Sequence, residues 1–142
     1  MWTQSYDDLL LEWAALREQA SSLPLEEALT LIHDWWNTAP IVNNTVHFND
    51  EKNWPLPWDL LAQPAYCDVA KCLGIVYTLI LSDIIDTVDT VFLLQTNEHC
   101  VVSINGGQYI LNEQPDEIIG DLSSLDVLYS VNCEGLVQKL GK

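Results

Sequence analysis

The first part of the chain repeats apolar residues at the three- and four-residue spacing of an amphipathic helix. Near residues 5–20 this stripe consists of Leu9, Trp13, Leu16 and Ala20. Ser5 precedes the stripe and can cap the first turn of a helix. A second helical segment, near residues 24–36, begins at Pro24, a residue favoured in a first helical turn. Because only "SSLP" separates the two segments, they are predicted to pair as a helical hairpin.

A third helix is predicted near residues 65–82, where the apolar positions again keep helical spacing. Gly74 and the β-branched residues of "GIVYTLIL" favour a strand instead, so this part of the segment has two open assignments. The preceding residues 37–57 are rich in Asn and Pro and show no sustained period, which predicts a long loop. A short helical turn is expected at "WDLL", directly after this loop.

After residue 86 the apolar positions alternate, as they do in a β-strand. Four strand segments follow one another with turn residues between them: "TVFLLQT", "HCVVSI", "QYILN" and "DVLYSVN". The final "EGLVQKL" predicts a helical turn. Because helices come first and strands second, the pattern predicts one α+β domain spanning 1–142, with a helical part (1–86) and an antiparallel sheet part (87–142).

The stretch "NEHCVVSINGGQYILN" is predicted to be a β-hairpin, and its register determines which side chains meet. With Asn105-Gly106 as the turn, His99 pairs directly with Asn112; with Gly106-Gly107 as the turn, the two are diagonal neighbours. Both registers place them on one face of the hairpin. A three-residue loop would instead place His99 and Asn112 on opposite faces.

The composition is strongly acidic but also apolar. The chain has five basic and 21 acidic residues, which give a formal net charge of −16, and 49% of its residues are hydrophobic. The apolar content predicts a folded chain, and the negative charge would repel nucleic acids and anionic membranes. We therefore expect the partners to be other protein chains, with no nucleic acid and no membrane.

The N-terminus and the cysteines predict a reducing compartment. "MWTQSYDD" lacks the basic start and apolar core of a secretory signal, so the chain is expected in the cytoplasm of the producing cell. The four cysteines are then expected to be thiols. No Cys-x-x-Cys pair occurs in the sequence, so a structural zinc site is not expected, and neither a metal nor a cofactor is predicted.

Three residues form a candidate catalytic set: Cys67, His99 and Asn112. A cysteine nucleophile needs a base that takes its proton and a third group that orients the base. Cys67 falls in the predicted first turn of the third helix, where the helix dipole lowers the pKa of a thiol. Asp68 beside it acts in the opposite direction, because its negative charge disfavours the thiolate.

The order of these residues, over about residues 64–112, resembles the transglutaminase-like and papain-like cysteine enzymes. "HCVVSINGGQYILN" looks like that superfamily's histidine strand, turn and aromatic strand ending in Asp or Asn. The resemblance implies a helix packed on an antiparallel sheet, with Cys67 as nucleophile, His99 as base and Asn112 as the orienting residue. Gln63 is the candidate donor for an oxyanion.

A second resemblance covers residues 54–81. The sequence "WPLPWDLLAQPAYCDVAKCLGIVYTLIL" resembles a segment of small proteins encoded by tailed bacteriophages, most of which have no assigned function. It implies a structural or assembly component of the virion, located in the tail, baseplate or neck. The virion is then a second expected location.

The chain contains six tryptophans, and two of them, Trp54 and Trp58, flank Pro55 and Pro57 in the long loop. Buried aromatic rings dominate the binding energy of many interfaces, so these four residues are predicted to anchor a contact with another protein. Packing of the loop on its own domain is the alternative. His33, beside an aspartate on the second helix, is expected to be solvated.

Two functions follow from these patterns. The tryptophans, the acidic surface and the phage-like segment favour a small acidic interaction protein that belongs to a larger assembly. The alternative is a cysteine acyl-transfer enzyme of the amidase, peptidase or transglutaminase type, using Cys67, His99 and Asn112. The two differ in whether the Cys67 sulfur lies near His99 and can be reached from solvent.

Overall fold

A computed structural model describes residues 2, 4–43 and 45–141. The described residues form five α-helices: α1 (Tyr6–Ser21), α2 (Leu25–Asn37), α3 (Pro57–Leu61), α4 (Asp68–Leu81) and α5 (Glu134–Lys139). They also form five strands: β1 (Val91–Thr96), β2 (Cys100–Ile104), β3 (Tyr109–Gln114), β4 (Glu117–Ile119) and β5 (Val127–Asn132). The strands pair antiparallel in the order β4-β3-β2-β1-β5. The predicted α+β class, with an antiparallel sheet after the helices, is confirmed.

α4 lies at the centre of the molecule, between α1, α2 and α3 on one side and the sheet on the other. Every residue from Val69 to Ile80 is buried. A helix that is apolar around its whole circumference is stable only when it is covered on all sides. The strand alternative for "GIVYTLIL" is therefore wrong, because burial in a helical layer outweighs the weak strand preference of its β-branched residues.

Gly74 in α4 allows the closest helix contact. A Cβ atom at this position would lie 2.3 Å from Cζ2 of Trp36, so the Trp36 ring occupies the space that any other side chain would need. One turn later, the Thr78 hydroxyl accepts hydrogen bonds from the indole N–H groups of Trp13 (3.0 Å) and Trp36 (3.1 Å). These contacts tie α1 and α2 to the central helix.

The hairpin of β2 and β3 adopts the second of the two registers that place His99 and Asn112 on one face. Val102 pairs with Leu111 and Ile104 with Tyr109, which centres the turn on Gly106-Gly107. Both glycines have positive φ, +68° and +94°, as a type I′ turn requires. β4 was not predicted, because its three residues are too few to show an alternating pattern. It pairs with Tyr109 and Gln114 of β3, with an irregularity between these two pairs.

The long loop packs against its own domain. Trp54 is only 3% exposed; its indole N–H donates to the His47 carbonyl at 2.8 Å, and its ring packs against Phe48. The Tyr77 hydroxyl donates to the Pro55 carbonyl at 2.6 Å. The predicted role of Trp54 as an interface anchor is therefore wrong, since its ring is covered by the chain itself.

The other predicted interface residues differ in how far they are exposed to solvent. Pro57 is buried at the start of α3, and Pro55 is half-buried. Trp58 remains 48% exposed, although one side of its ring contacts Trp13 at a centroid distance of 5.6 Å. Of the four residues, only Trp58 presents a large apolar surface to solvent. In the part of the chain that the structure describes, no helix is long and apolar enough to cross a bilayer.

Candidate functional site

Cys67 is the N-cap residue of α4, so it lies one position before the first turn of the helix and not within that turn, as was predicted. The long loop is fixed beside it, because the Tyr66 N–H donates to the Pro40 carbonyl and the Val42 N–H donates to the Tyr66 carbonyl. This pairing brings Thr45 and Val46 next to the cysteine. The Val46 N–H donates to Cys67 Sγ at 3.3 Å, and the thiol lies 3.4 Å from the Val46 carbonyl oxygen, to which it can donate.

The surroundings of Cys67 favour the thiolate. Burial alone would raise the pKa of the thiol, but the Thr45 hydroxyl and the backbone N–H groups of Ala70, Val46 and Thr45 together outweigh it. The net effect is a pKa below the ordinary value of a cysteine. The position at the start of α4 acts in the same direction, because the positive end of the helix dipole stabilises an anion.

His99 lies in the turn before β2, and its imidazole Nε2 contacts the Glu113 carboxylate of β3. Both side chains are about one-fifth exposed, 20% for His99 and 21% for Glu113. A carboxylate next to Nε2 favours the ring form that carries its proton on Nε2, which leaves Nδ1 able to accept a proton. Glu113 is thus the charged partner of His99, and sequence analysis did not identify it.

Asn112, the predicted orienting residue, has a different partner. Its backbone is left-handed, with φ of +68°. Its side-chain Nδ2 donates to Cys72 Sγ (3.4 Å) and to the Cys100 carbonyl (3.1 Å). The predicted His99–Asn112 pair is therefore wrong. The register agreed with the prediction. The left-handed backbone of Asn112, however, directs its side chain toward α4, and Glu113 contacts the imidazole of His99 instead.

Cys67 and His99 line one surface pocket of ≈ 240 Å³. Its other described lining residues are Ile41, Val42, Asn43, Val46, Asp68, Val69, Gln95, Glu98 and Cys100. The pocket thus combines a thiol, an imidazole, two carboxylates and several apolar side chains. Gln63, the predicted oxyanion donor, is not among these lining residues; its backbone N–H donates to the Leu60 carbonyl in the turn after α3.

The other three cysteines are core residues. Burial raises the pKa of Cys72 far above its ordinary value and that of Cys133 to about 12. Cys133 borders a larger cleft of ≈ 360 Å³, whose described lining contains no histidine and so offers no imidazole base. Within the described residues, no group of three His, Cys, Asp or Glu side chains is arranged to hold a metal ion.

Sequence reasoning found two of the three residues that the site brings together, Cys67 and His99. The missing signal for Glu113 was present in the sequence, since an asparagine directly before it is one of the few residues that tolerate positive φ. Comparison of the chain with protein-family models, curated proteins and solved structures gives no match.

Proposed function

We propose that the protein is a cysteine acyl-transfer enzyme on a transglutaminase-like or papain-like core. The observation that carries the proposal is a single pocket holding a helix-capping thiol of lowered pKa, Cys67, and an imidazole, His99, oriented by a carboxylate. Nucleophile, base and orienting group are the parts that covalent acyl transfer requires. The helix with Cys67 at its start, packed on the strand pair of His99 and Glu113, supports the proposed core.

The reaction divides into two steps. The His99 Nδ1 takes the Cys67 thiol proton, the sulfur attacks the substrate carbonyl carbon, and a C–S bond forms. The bond to the leaving group then breaks, and the imidazolium returns the proton to that group. In the second step water or an amine attacks the thioester, gives its proton to His99, and Cys67 leaves as the thiolate.

Backbone donors near Cys67 are suited to stabilise the oxyanion of both steps. The first N–H groups of an α-helix have no acceptor within the helix, and at the start of α4 the Ala70 N–H already bonds the Cys67 sulfur. The Val46 N–H already points at the sulfur. We assign the oxyanion to this group of amides instead of Gln63.

The test is acylation by p-nitrophenyl acetate, followed by nitrophenolate release and by mass spectrometry of the cysteine peptides. We expect one acetyl group per chain on Cys67, followed by turnover. Cys67→Ala should abolish the acetylation, and His99→Gln should slow it by about 10²-fold or more, the usual contribution of a general base.

Cys133→Ala is the matched control, because it removes a buried thiol that does not line the Cys67 pocket. This variant should keep its acetylation rate. Acetylation that is spread over lysines, or that is equal in wild type and in His99→Gln, would contradict the proposal.

A second function, a role in a larger protein assembly, is favoured by a different observation. The edge strand β5 exposes three large apolar side chains, Val127, Leu128 and Tyr129. An exposed apolar edge strand can pair with a strand of another chain. We propose this edge, not the loop around Trp54, as the contact surface of a protein that would act as a virion or assembly component.

Sedimentation of the protein over a concentration series tests the second function. We expect association that Leu128→Lys weakens at least tenfold, because a charge on the edge strand opposes pairing. Leu11→Lys, on the exposed face of α1, is the control and should have no effect. A monomer at every concentration, in wild type and both variants, would contradict this function for contacts between copies of the chain.

A further inference from the structure

His33 of α2 is buried in contact with β3, contrary to the expectation that it is solvated. Only 1% of the surface of His33 is exposed to solvent. The Asn112 backbone N–H donates to His33 Nδ1 at 3.1 Å, and His33 Nε2 lies 2.8 Å from the Gln114 carbonyl oxygen. The Asn37 side-chain amide lies 2.9 Å from the same Nε2. The prediction failed because the polar partners of His33 come from β3, about 80 residues later in the chain.

These hydrogen bonds assign a role to each ring nitrogen. Nδ1 accepts from the Asn112 N–H, so Nε2 is the nitrogen that can donate to the Gln114 carbonyl. An imidazole suits this position, because it offers one acceptor and one donor from a rigid ring. His33 therefore bonds the backbone directly before and directly after Glu113.

The backbone of β3 needs this support at that point. Between Tyr109 and Gln114 its pairing with β4 is irregular, and Asn112 has positive φ. Backbone groups without strand partners cost free energy when buried unless another group bonds them. His33 supplies the donor and the acceptor that a regular strand neighbour would have supplied.

We infer that His33 is a positioning residue. It holds the irregular backbone of β3 around Asn112 so that the Glu113 carboxylate faces His99 Nε2. The inference deepens the proposed function and rests on it for its catalytic consequence. His33 does not line the Cys67 pocket. It acts through Glu113, and Glu113 acts on the tautomer of the base.

The direct test is the tautomer of His99, read from the ¹⁵N chemical shifts of its ring by NMR. In the wild type we expect the Nε2–H form, because the Glu113 carboxylate contacts Nε2 and its negative charge favours a proton on that nitrogen. His33→Leu and Glu113→Gln should each give a mixture of both tautomers. His33→Gln, which keeps a donor and an acceptor, should restore the Nε2–H form at least in part.

Acetylation of Cys67 in the same variants measures the consequence. His33→Leu should lower the acylation rate constant about tenfold or more, with little change in KM. In the Glu113→Gln background it should have no further effect, because a residue that acts only through Glu113 has nothing left to position. A purely structural role would lower the rate by the same factor in both backgrounds.

Thr78→Val is the stability control, since it also removes a buried polar group in the helical layer but contacts neither Glu113 nor His99. It should lower the melting temperature without changing the His99 tautomer. An unchanged tautomer in a folded His33→Leu protein overturns the inference, even if Cys67 is acetylated. A changed tautomer without any acetylation in the wild type supports the positioning role and contradicts the proposed function.

Discussion

At the scale of the residue, the site depends on the backbone of Asn112. A left-handed conformation is strained for most side chains but tolerated by asparagine and free of cost for glycine. Asn112 adopts it with φ of +68°. The two consecutive side chains thus reach separate partners, Asn112 at Cys72 and Glu113 at His99.

Substitution of Asn112 should separate its backbone role from its side-chain role. Asn112→Gly keeps the left-handed backbone and should retain the Cys67 acetylation rate within about threefold. Asn112→Val places a β-branched residue at positive φ, which costs about 1–2 kcal/mol, and should slow acetylation at least tenfold. Equal rates in the two variants would show that the backbone at Asn112 does not position Glu113.

Residue-level prediction from sequence succeeded where a side chain's role depends on its own element. Cys67 could be placed at a helix start and His99 at a strand start from the local pattern alone. Glu113 and His33 could not, because each acquires its role through a partner that is distant in sequence. Counting alternate residues along a strand also assumes regular pairing, and Asn112 interrupts it.

At the scale of the element, Thr78 joins three helices. Its hydroxyl accepts two indole N–H groups, from Trp13 and Trp36, and donates to the Gly74 carbonyl at 2.6 Å. All of these contacts are buried. The packing of α1 and α2 on α4 thus has a polar centre in an otherwise apolar layer.

Thr78→Val keeps the shape of the side chain but leaves both indole N–H groups without an acceptor. Each unsatisfied buried donor costs about 1–3 kcal/mol, so for the two donors we expect the free energy of unfolding to fall by about 2–6 kcal/mol. Thr78→Ser keeps the hydroxyl and should lose only about 1 kcal/mol. Urea denaturation of both variants measures the difference, and equal losses would contradict this role of the hydroxyl.

The three longest helices were predicted because they have enough residues to show a period. α1, α2 and α4 have 16, 13 and 14 residues, and their apolar stripes are visible in the sequence. β4 has three residues and pairs only at its ends, so it leaves no alternating pattern. Packing of the long loop on its own domain was one of two open interpretations, and the contacts of Trp54 with the His47 carbonyl and Phe48 agree with it.

At the scale of the whole molecule, the acidic character of the chain extends to the candidate site. Asp68 and Glu98 line the pocket, and no lysine or arginine is among its described lining residues. The formal net charge of the chain is −16. A negative field of this kind attracts cations to the pocket and repels anions, and added salt screens it.

Two thiol reagents of opposite charge measure this field at Cys67. A cationic methanethiosulfonate should modify Cys67 at least tenfold faster than an anionic one at low salt, and the ratio should fall toward one in about 1 M salt. Glu98→Gln should reduce the ratio. Glu18→Gln, on the exposed surface of α1, changes the net charge equally and is the control; the same reduction in both would assign the effect to total charge.

The pH dependence of Cys67 alkylation by iodoacetamide, followed by mass spectrometry of each cysteine peptide, tests the central claim most directly. Only the thiolate reacts, so the rate rises as pH passes through the pKa of the thiol. Because hydrogen bonds lower the pKa of Cys67, we predict a midpoint below that of an unperturbed cysteine thiol, while Cys72 and Cys133 react only after denaturation. A Cys67 that reacts no faster at neutral pH than a model thiol, or only in the unfolded chain, would contradict the account.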